Sequence, residues 1–146
     1  MLPHVPATAC VFCRIAAGRL PAGVLIDRPG VLAILDTNPI HPGHALVFPR
    51  AHHQDFLSLP RDLLPEVITA TQDVAQALVQ TLKLQGVNIF SNNGEIAGQS
   101  VFHAHIHVTP RYPHDGIRFV PVHGRYGPGE LDRMAGLLRE HLNGIR

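Results

Sequence analysis

The chain has 146 residues, of which 45% are hydrophobic and 16% charged, and its formal net charge is +1. This size and composition are typical of one globular domain with its own core. The small net charge gives no strong attraction to nucleic acid or to a membrane surface, and the sequence lacks the run of about 20 apolar residues that a transmembrane helix needs. We therefore expect neither nucleic acid nor membrane as a partner. Because no secretory signal pattern is found, we also expect a cytoplasmic protein.

The first half of the chain predicts a loose arm, a short helix and three strands. The arm spans residues 1–9, and the helix spans residues 10–17. Alternating apolar residues predict the strands, and a Pro-Gly turn separates the first two. Their predicted ranges are Val24–Asp27, Val31–Asp36 and His44–Pro49.

The second half begins with the longest helical pattern, from Asp62 to Lys83, with Asp62 as the expected N-cap. Strands are expected at Val87–Ser91 and Val101–Pro110. Residues 111–128 are rich in glycine and proline and are expected to be irregular, and the last segment, 129–146, carries an amphipathic helix from Glu130 to Leu142. The order of elements predicts an α+β fold: a mostly antiparallel five-stranded sheet with one long and one C-terminal helix, in a single domain over 1–146.

Histidine is unusually frequent, with eleven residues against eleven acidic ones. Histidine acts as base, nucleophile and metal ligand near neutral pH. Seven of the eleven fall into three groups, which are His41 and His44, His52 and His53, and His103, His105 and His107. If residues 101–110 form one strand, the imidazoles of His103, His105 and His107 share one face of the sheet. Three adjacent imidazoles are poor core material, so this pattern favours a cleft that binds an anion or a metal.

The segment Gly98–Val108, GQSVFHAHIHV, resembles the signature of the histidine triad (HIT) family. The opening CVFCRI at residues 10–15 is similar to the start of the zinc-containing, Hint-like bacterial branch of that family. Two further blocks match in order, LAILD at 32–36 and GHALVFPR at 43–50, so the resemblance runs from about residue 10 to Tyr112. Thr109 departs from the motif, which prefers a hydrophobic residue there.

The resemblance implies a nucleotide hydrolase or transferase that acts at the α-phosphate of a purine (adenosine) nucleotide. His105 would be the nucleophile that forms a covalent nucleotidyl-histidine. A phosphoramidase-type activity that releases AMP is the main expectation, and a dinucleoside polyphosphate hydrolase is the alternative. The resemblance also implies a homodimer that forms around the long helix and an edge strand.

Further site residues follow from the same resemblance. His107 and His44 would donate hydrogen bonds to the phosphate oxygens, Gln99 and Ser100 would orient the phosphate and assist the leaving group, and backbone amides near Gly98 would contribute. Asp36 would bind the ribose with Asn92 nearby, although a plain turn role for Asp36 stays open. The expected slot for the base consists of Val11, Phe12, Ile15 and Ile34, for which ordinary core packing is an equal alternative.

Cys10 and Cys13 form a C-x-x-C pair. A redox role is disfavoured because the strand and βαβ context of thioredoxin-like motifs is missing, whereas two thiolates and two histidines would complete a tetrahedral zinc site. The family resemblance nominates His52 and His103 as the other ligands of a structural Zn²⁺, with His53 as an alternative to His52. Two cysteines without a metal are the remaining interpretation.

Two rival functions stay open. One is a catalytic metal held by His103, His105 and His107, which lacks a nearby carboxylate ligand and would need the outer two histidines to approach each other. The other is a non-catalytic nucleotide-binding or interaction module on the same fold.

Overall fold

A computed structural model describes residues 6–145. The predicted N-terminal arm therefore lies outside the described residues over 1–5, and so does Arg146 at the end of the predicted C-terminal segment. Compact packing groups the chain into two units, Met1–Asp115 and Gly116–Arg146, which are described separately below. None of the described helices is long and apolar enough to cross a membrane.

The first unit is built on a five-stranded sheet in which every neighbouring pair is antiparallel. The spatial order of the strands is β1-β2-β3-β5-β4, so β1 and β4 form the edges. This architecture confirms the predicted fold class. The strands are β1 (Val24–Asp27), β2 (Val31–Leu35), β3 (Ala45–Pro49), β4 (Gly86–Phe90) and β5 (Ile106–Arg111).

Two helices accompany this sheet, α1 (Val11–Ala16) and α2 (Leu64–Leu82). Two short 3₁₀ turns, Phe56–Ser58 and Glu95–Ala97, lie in the connections. The predicted N-cap of the long helix is wrong, because α2 starts at Leu64 and its cap position is Leu63, with no side-chain cap. A hydrogen-bonded turn from Pro60 to Leu63 leads into the helix in place of an Asp62 cap.

The two faces of the sheet bury different groups. Strand alternation sends Val31, Ala33, Val47, Ile106 and Val108 toward α2, where they pack with its apolar side. The opposite face carries Leu32, Ile34, Leu46 and Phe48, which pack with Cys10 and Phe12 from the region of α1. The short helix α1 leaves part of this second face open, and the chemistry-bearing side chains lie there.

The predicted strand Val101–Pro110 is wrong in its first half, since β5 begins only at Ile106. Two hydrogen bonds explain the difference: the amide of Ala104 donates to the carbonyl of His53 (2.6 Å), and the His105 ring donates to the carbonyl of His103 (2.7 Å). These backbone groups are therefore not available to a sheet ladder. His103 and His105 nevertheless point to the side of the sheet that carries Phe12, whose ring contacts both of theirs edge-on.

The second unit contains one helix, α3 (Glu130–Gly144), preceded by residues 116–129 without helix or strand. The helix is amphipathic, and the apolar side chains of Leu131, Leu137, Leu138 and Leu142 are all exposed.

Candidate active site

A cleft of about 300 Å³ lies on the α1 side of the sheet. It gathers side chains that are far apart in sequence: α1 supplies one wall, the end of β2 the floor, and the segment before and within β5 the histidines. The site residues predicted from the sequence that line it are Val11, Phe12, Ile15, Ile34, Asp36, Ser100, His105 and His107. Leu46 and Val101 line it as well and were not predicted. The signal for Leu46 is its position two residues after His44 on one strand face.

A larger cavity, of about 570 Å³, lies on the α2 side of the sheet. Its lining is mainly aliphatic, and its two charged groups, Arg28 and Asp73, pair with each other at 2.7 Å. No histidine, cysteine or hydroxyl other than Thr81 lines it. Its chemistry does not suit catalysis, so the smaller cleft is the candidate active site.

The hydrogen bonds of His105 fix which ring nitrogen carries the proton. Its Nδ1 lies 2.7 Å from the carbonyl oxygen of His103, which can only accept, so Nδ1 donates and Nε2 keeps a free lone pair. Burial lowers the pKa of His105, outweighing the opposite influence of this hydrogen bond and of Asp36. A neutral imidazole with an unprotonated Nε2 in a cleft is what a nitrogen nucleophile requires.

His44 and His107 form a directed chain of hydrogen bonds. The amide of Ile40 donates to His44 Nδ1 (3.1 Å), so the proton of a neutral His44 is on Nε2. That Nε2–H donates to His107 Nδ1 (2.9 Å), which leaves the proton of His107 on its own Nε2. Burial lowers the pKa of both rings. The pKa of His107 falls to about 4, because the neighbouring His105 and His44 add to the effect of burial. The only ring N–H of a neutral His44 is thus used on His107, and the ring N–H of His107 remains as a donor for a ligand.

Asp36 directly follows β2, and the sequence left a turn role and a ligand-binding role open for it. One carboxylate oxygen accepts from the amide of Asn38 (2.9 Å), which is a turn interaction. The other lies 3.7 Å from His44 Nδ1, and the residue also lines the cleft. A second acceptor therefore remains for a ligand hydroxyl.

The structure does not bring Gln99, Asn92 and Gly98 to the cleft as ligand-binding side chains. Gln99 is buried, its Oε1 accepts from the amide of Gly94 (2.8 Å), and its Nε2 donates to the carbonyls of Gln54 (2.7 Å) and Val101 (3.1 Å). Asn92 donates to the carbonyl of Gly98 (3.4 Å), where φ is +90°. These residues shape the loop that carries Ser100.

A second cluster of donors lies behind Phe12. The ligand atoms of Cys10, Cys13, His52 and His103 all lie within 4.8 Å of one another. His103 Nδ1 is 3.4 Å from Cys10 Sγ and 3.5 Å from Cys13 Sγ, and His52 Nδ1 is 3.3 Å from Cys13 Sγ. A tetrahedral zinc ion with ordinary Zn–S and Zn–N bonds separates such atoms by roughly 3.6 Å, so the donor set fits this ion.

The surroundings of the cluster support metal binding. His103 is fully buried and its Nε2–H donates to the carbonyl of Pro49 (2.7 Å), which turns the lone pair of Nδ1 toward the thiols. Burial lowers the pKa of His103 to about 4 and, together with Cys10, raises that of Cys13 to about 11. A cation would reverse the effect on the thiol. His52, and not His53, belongs to the cluster.

The geometry disfavours a catalytic metal on the three signature histidines. Among residues 6–145, no metal-type group unites His103, His105 and His107, since His103 belongs to the cysteine cluster. Asp36, His44 and His107 also lie close together, but both ring nitrogens of His44 are already hydrogen-bonded. That alternative therefore lacks a ligand set.

Comparison with known proteins gives the family. The HIT domain matches residues 17–114, well over half of the chain. The protein belongs to the histidine triad family. Protein hit from Bacillus subtilis is 39% identical to this HIT protein over 139 residues, which is 93% of this chain and 96% of that protein. The adenylylsulfatase HINT3 of Arabidopsis thaliana is 36% identical over 136 residues, 91% of this chain and 69% of that protein.

Solved structures of HIT proteins share the fold. A HIT family protein from Bacillus anthracis superposes with a TM-score of 0.87 and 31% identity, over 97% of this chain and all of that one. A zinc-bound histidine triad family protein from Mycobacterium smegmatis gives a TM-score of 0.72 and 32% identity, again over 97% of this chain and all of that one. Members of the HIT family bind nucleotides, and many are nucleotide hydrolases.

Proposed function

We propose that this HIT protein hydrolyses adenosine nucleotide derivatives at the α-phosphate through a nucleotidyl intermediate on His105. The observation that carries the proposal is the hydrogen bond from His105 Nδ1 to the carbonyl of His103, which leaves Nε2 unprotonated in the cleft. In the first step, Nε2 forms a bond to phosphorus while the bond to the leaving group breaks, and the leaving group takes up a proton from solvent. In the second step, water attacks phosphorus and the bond between phosphorus and Nε2 breaks, so that the proton of the attacking water returns to solvent, AMP is released and His105 is restored.

The N–H donor of His107 would stabilise the negative charge that develops on the phosphate oxygens in the transition state. Its Nε2–H is the end of the chain Ile40, His44, His107, so the donor is set before substrate binds. His44 then acts through His107 and does not touch the phosphate. Ser100 lines the cleft with a hydroxyl that can assist the leaving group.

The nucleoside would occupy the apolar part of the cleft. Phe12 and Ile34 are buried, while Val11 and Ile15 are more exposed and line the opening, so these side chains serve the core and the cleft at once. The free acceptor of Asp36 suits the ribose hydroxyls. No charged side chain other than Asp36 and the histidines lines the cleft, so the cleft would discriminate only weakly among different leaving groups. We favour phosphoramidates as substrates and keep dinucleoside polyphosphates as the alternative; the adenylylsulfatase relative supports a broad leaving-group range.

The test is hydrolysis of an adenosine phosphoramidate by His105→Ala, with AMP binding measured by calorimetry. We expect hydrolysis to be abolished while the Kd of AMP stays within about tenfold, because one imidazole is lost and the remaining contacts persist. His123→Ala, at an exposed position, is the control and should keep full activity. AMP binding without turnover by the wild-type protein would instead indicate a non-catalytic nucleotide-binding module.

We also propose that Cys10, Cys13, His52 and His103 bind one structural Zn²⁺. The ion would tie α1, which forms a wall of the cleft, to the end of β3 and to the segment before β5. The zinc-bound relative and the distances among the four donors support this assignment. We further propose a cytoplasmic homodimer; the exposed leucines of α3 and the edge strand β4 are surfaces that a partner subunit could cover.

A further inference from the structure

A buried carboxylate lies four residues after the end of β5, outside the set of donors described above. The side chain of Asp115 is only 4% exposed. Arg111 binds it with two nitrogens, Nε to Oδ2 at 2.7 Å and Nη2 to Oδ1 at 3.0 Å, and the amide of Tyr112 donates to Oδ2 at 3.2 Å. The third guanidinium nitrogen of Arg111 donates to Asn88 on β4 (2.6 Å). This geometry fixes Asp115 against the sheet.

The same carboxylate reaches across to another segment. His41 Nε2 lies 3.3 Å from Asp115 Oδ2, and because a carboxylate only accepts, the ring nitrogen donates. The His41 ring also packs at 90° on the ring of Tyr112, with centroids 5.3 Å apart. His41 therefore has two contacts with residues 112–115 and is held from outside its own loop.

The loop that His41 belongs to connects two groups of the candidate active site. It runs from Asp36, just after β2, to His44, just before β3. The carbonyl of His41 accepts from the amide of His44 (2.9 Å), and the amide of Ile40 donates to His44 Nδ1. A displacement of His41 would thus disturb both the backbone and the ring of His44. Asp36, at the other end of the loop, would then lose the fixed position of the His44 ring beside its carboxylate.

We propose that Asp115, held by Arg111, is a positioning residue that keeps loop 37–43 in its nucleotide-binding conformation through His41. The proposal rests on the proposed function, because it concerns the same cleft. Asp115 touches no substrate and acts on Asp36 and His44 from a distance. Without it, the loop would spend part of its time in conformations in which these two groups do not face the nucleotide.

This role predicts a specific kinetic signature. When only a fraction of molecules is competent to bind, the apparent dissociation constant rises by the inverse of that fraction, and saturating substrate restores the competent form. For Asp115→Asn we expect KM for an adenosine phosphoramidate to rise about tenfold with kcat within about twofold. A merely structural loss, in which some of the protein is unfolded, would lower the apparent kcat and leave KM unchanged.

A double-mutant comparison tests the connection through His41. His41→Ala should raise KM to a similar extent, and adding it to Asp115→Asn should change KM no further. Asp73→Asn is the matched control, since it removes a carboxylate from an ion pair of the same 2.7 Å length on the α2 side of the sheet, and KM should not change. An unchanged KM in Asp115→Asn, or independent effects of the two substitutions, would overturn the proposal.

A failure of the proposed function would be seen separately, as a wild-type protein without hydrolysis. In that case the ring nitrogens of His44 and His107 are compared by ¹⁵N NMR in wild type, Asp115→Asn and Asp73→Asn. We expect the Asp115→Asn signals to shift or broaden and the Asp73→Asn signals to match wild type. Identical signals in all three proteins would contradict the positioning role without reference to activity.

Discussion

Loss of the zinc ion that we propose at the Cys10–Cys13–His52–His103 cluster should lower thermal stability strongly. The ion would connect Cys10 to His103, which are 93 residues apart. A cross-link that closes a loop of this length restricts the unfolded chain by up to about 4.7 kcal/mol in the chain-entropy treatment. With an unfolding entropy of about 2.1 cal/mol/K per residue, a chain of 146 residues loses about 3 °C in Tm per kcal/mol. We therefore expect Cys13→Ser to lower Tm by about 10–15 °C.

The assay is thermal unfolding of protein purified without chelators, combined with elemental analysis. Wild type should contain one zinc per chain, a chelator should lower its Tm to about that of Cys13→Ser, and the variant should not respond to the chelator. His53→Gln is the matched control, because His53 lies beside the cluster but contributes no ligand atom, and its carbonyl bond to Ala104 is kept. Wild type without zinc, or a variant that loses as much Tm on chelation as wild type does, would refute the reasoning.

Three further predictions concern stability, pH and assembly. Thr109 is 1% exposed and its Oγ1 has no hydrogen-bond partner among residues 6–145. Thr109→Val should therefore raise the free energy of unfolding, measured by urea titration, by about 1 kcal/mol. A loss of stability would show that the hydroxyl has a hydrogen-bond partner. Burial lowers the pKa of His107 to about 4, so below pH 6.5 the unfolded chain binds more protons at this ring than the folded one, and the free energy of unfolding should fall as pH is lowered from 6.5 toward 4. His107→Gln should flatten that dependence, and an unchanged slope would speak against a neutral ring at this half-buried position. Light scattering at micromolar concentration should give twice the 15.9 kDa mass of one chain, and a monomer mass would refute the homodimer.

The hydrophobic pattern was sufficient to predict the sheet and the long helix. β1 matches its predicted range, β2 is one residue shorter than predicted at its end, β3 is one residue shorter at its start, and β4 begins and ends one residue earlier than predicted. These elements alternate or repeat regularly and bury one face, which is the information that a local pattern contains. Thr109, the one departure from the family motif, is buried within β5 beside β4, where a hydrophobic residue would fit equally well, and nothing in the structure explains its hydroxyl.

The segment before β5 could not be predicted by pattern alone. Alternating histidines at 103, 105 and 107 suggest a strand, yet the contacts that break it come from His53, about 50 residues away, and from a ring bonded to its own backbone. The choice of His52 over His53 likewise depends on the path of the chain after β3, which brings the His52 ring to the cysteines. Gln99 shows the same limit, because its motif position suggests a phosphate contact and only the loop geometry reveals that its amide is already used.

The stereochemistry at phosphorus tests the nucleophilic role of His105 most directly. An adenosine phosphorothioate substrate of known configuration is hydrolysed in isotopically labelled water, and the configuration of the product is determined. Attack by His105 Nε2 followed by attack of water gives two in-line displacements, so the account predicts overall retention. Inversion would show a single displacement by water, and His105 would then act as a general base and form no covalent intermediate.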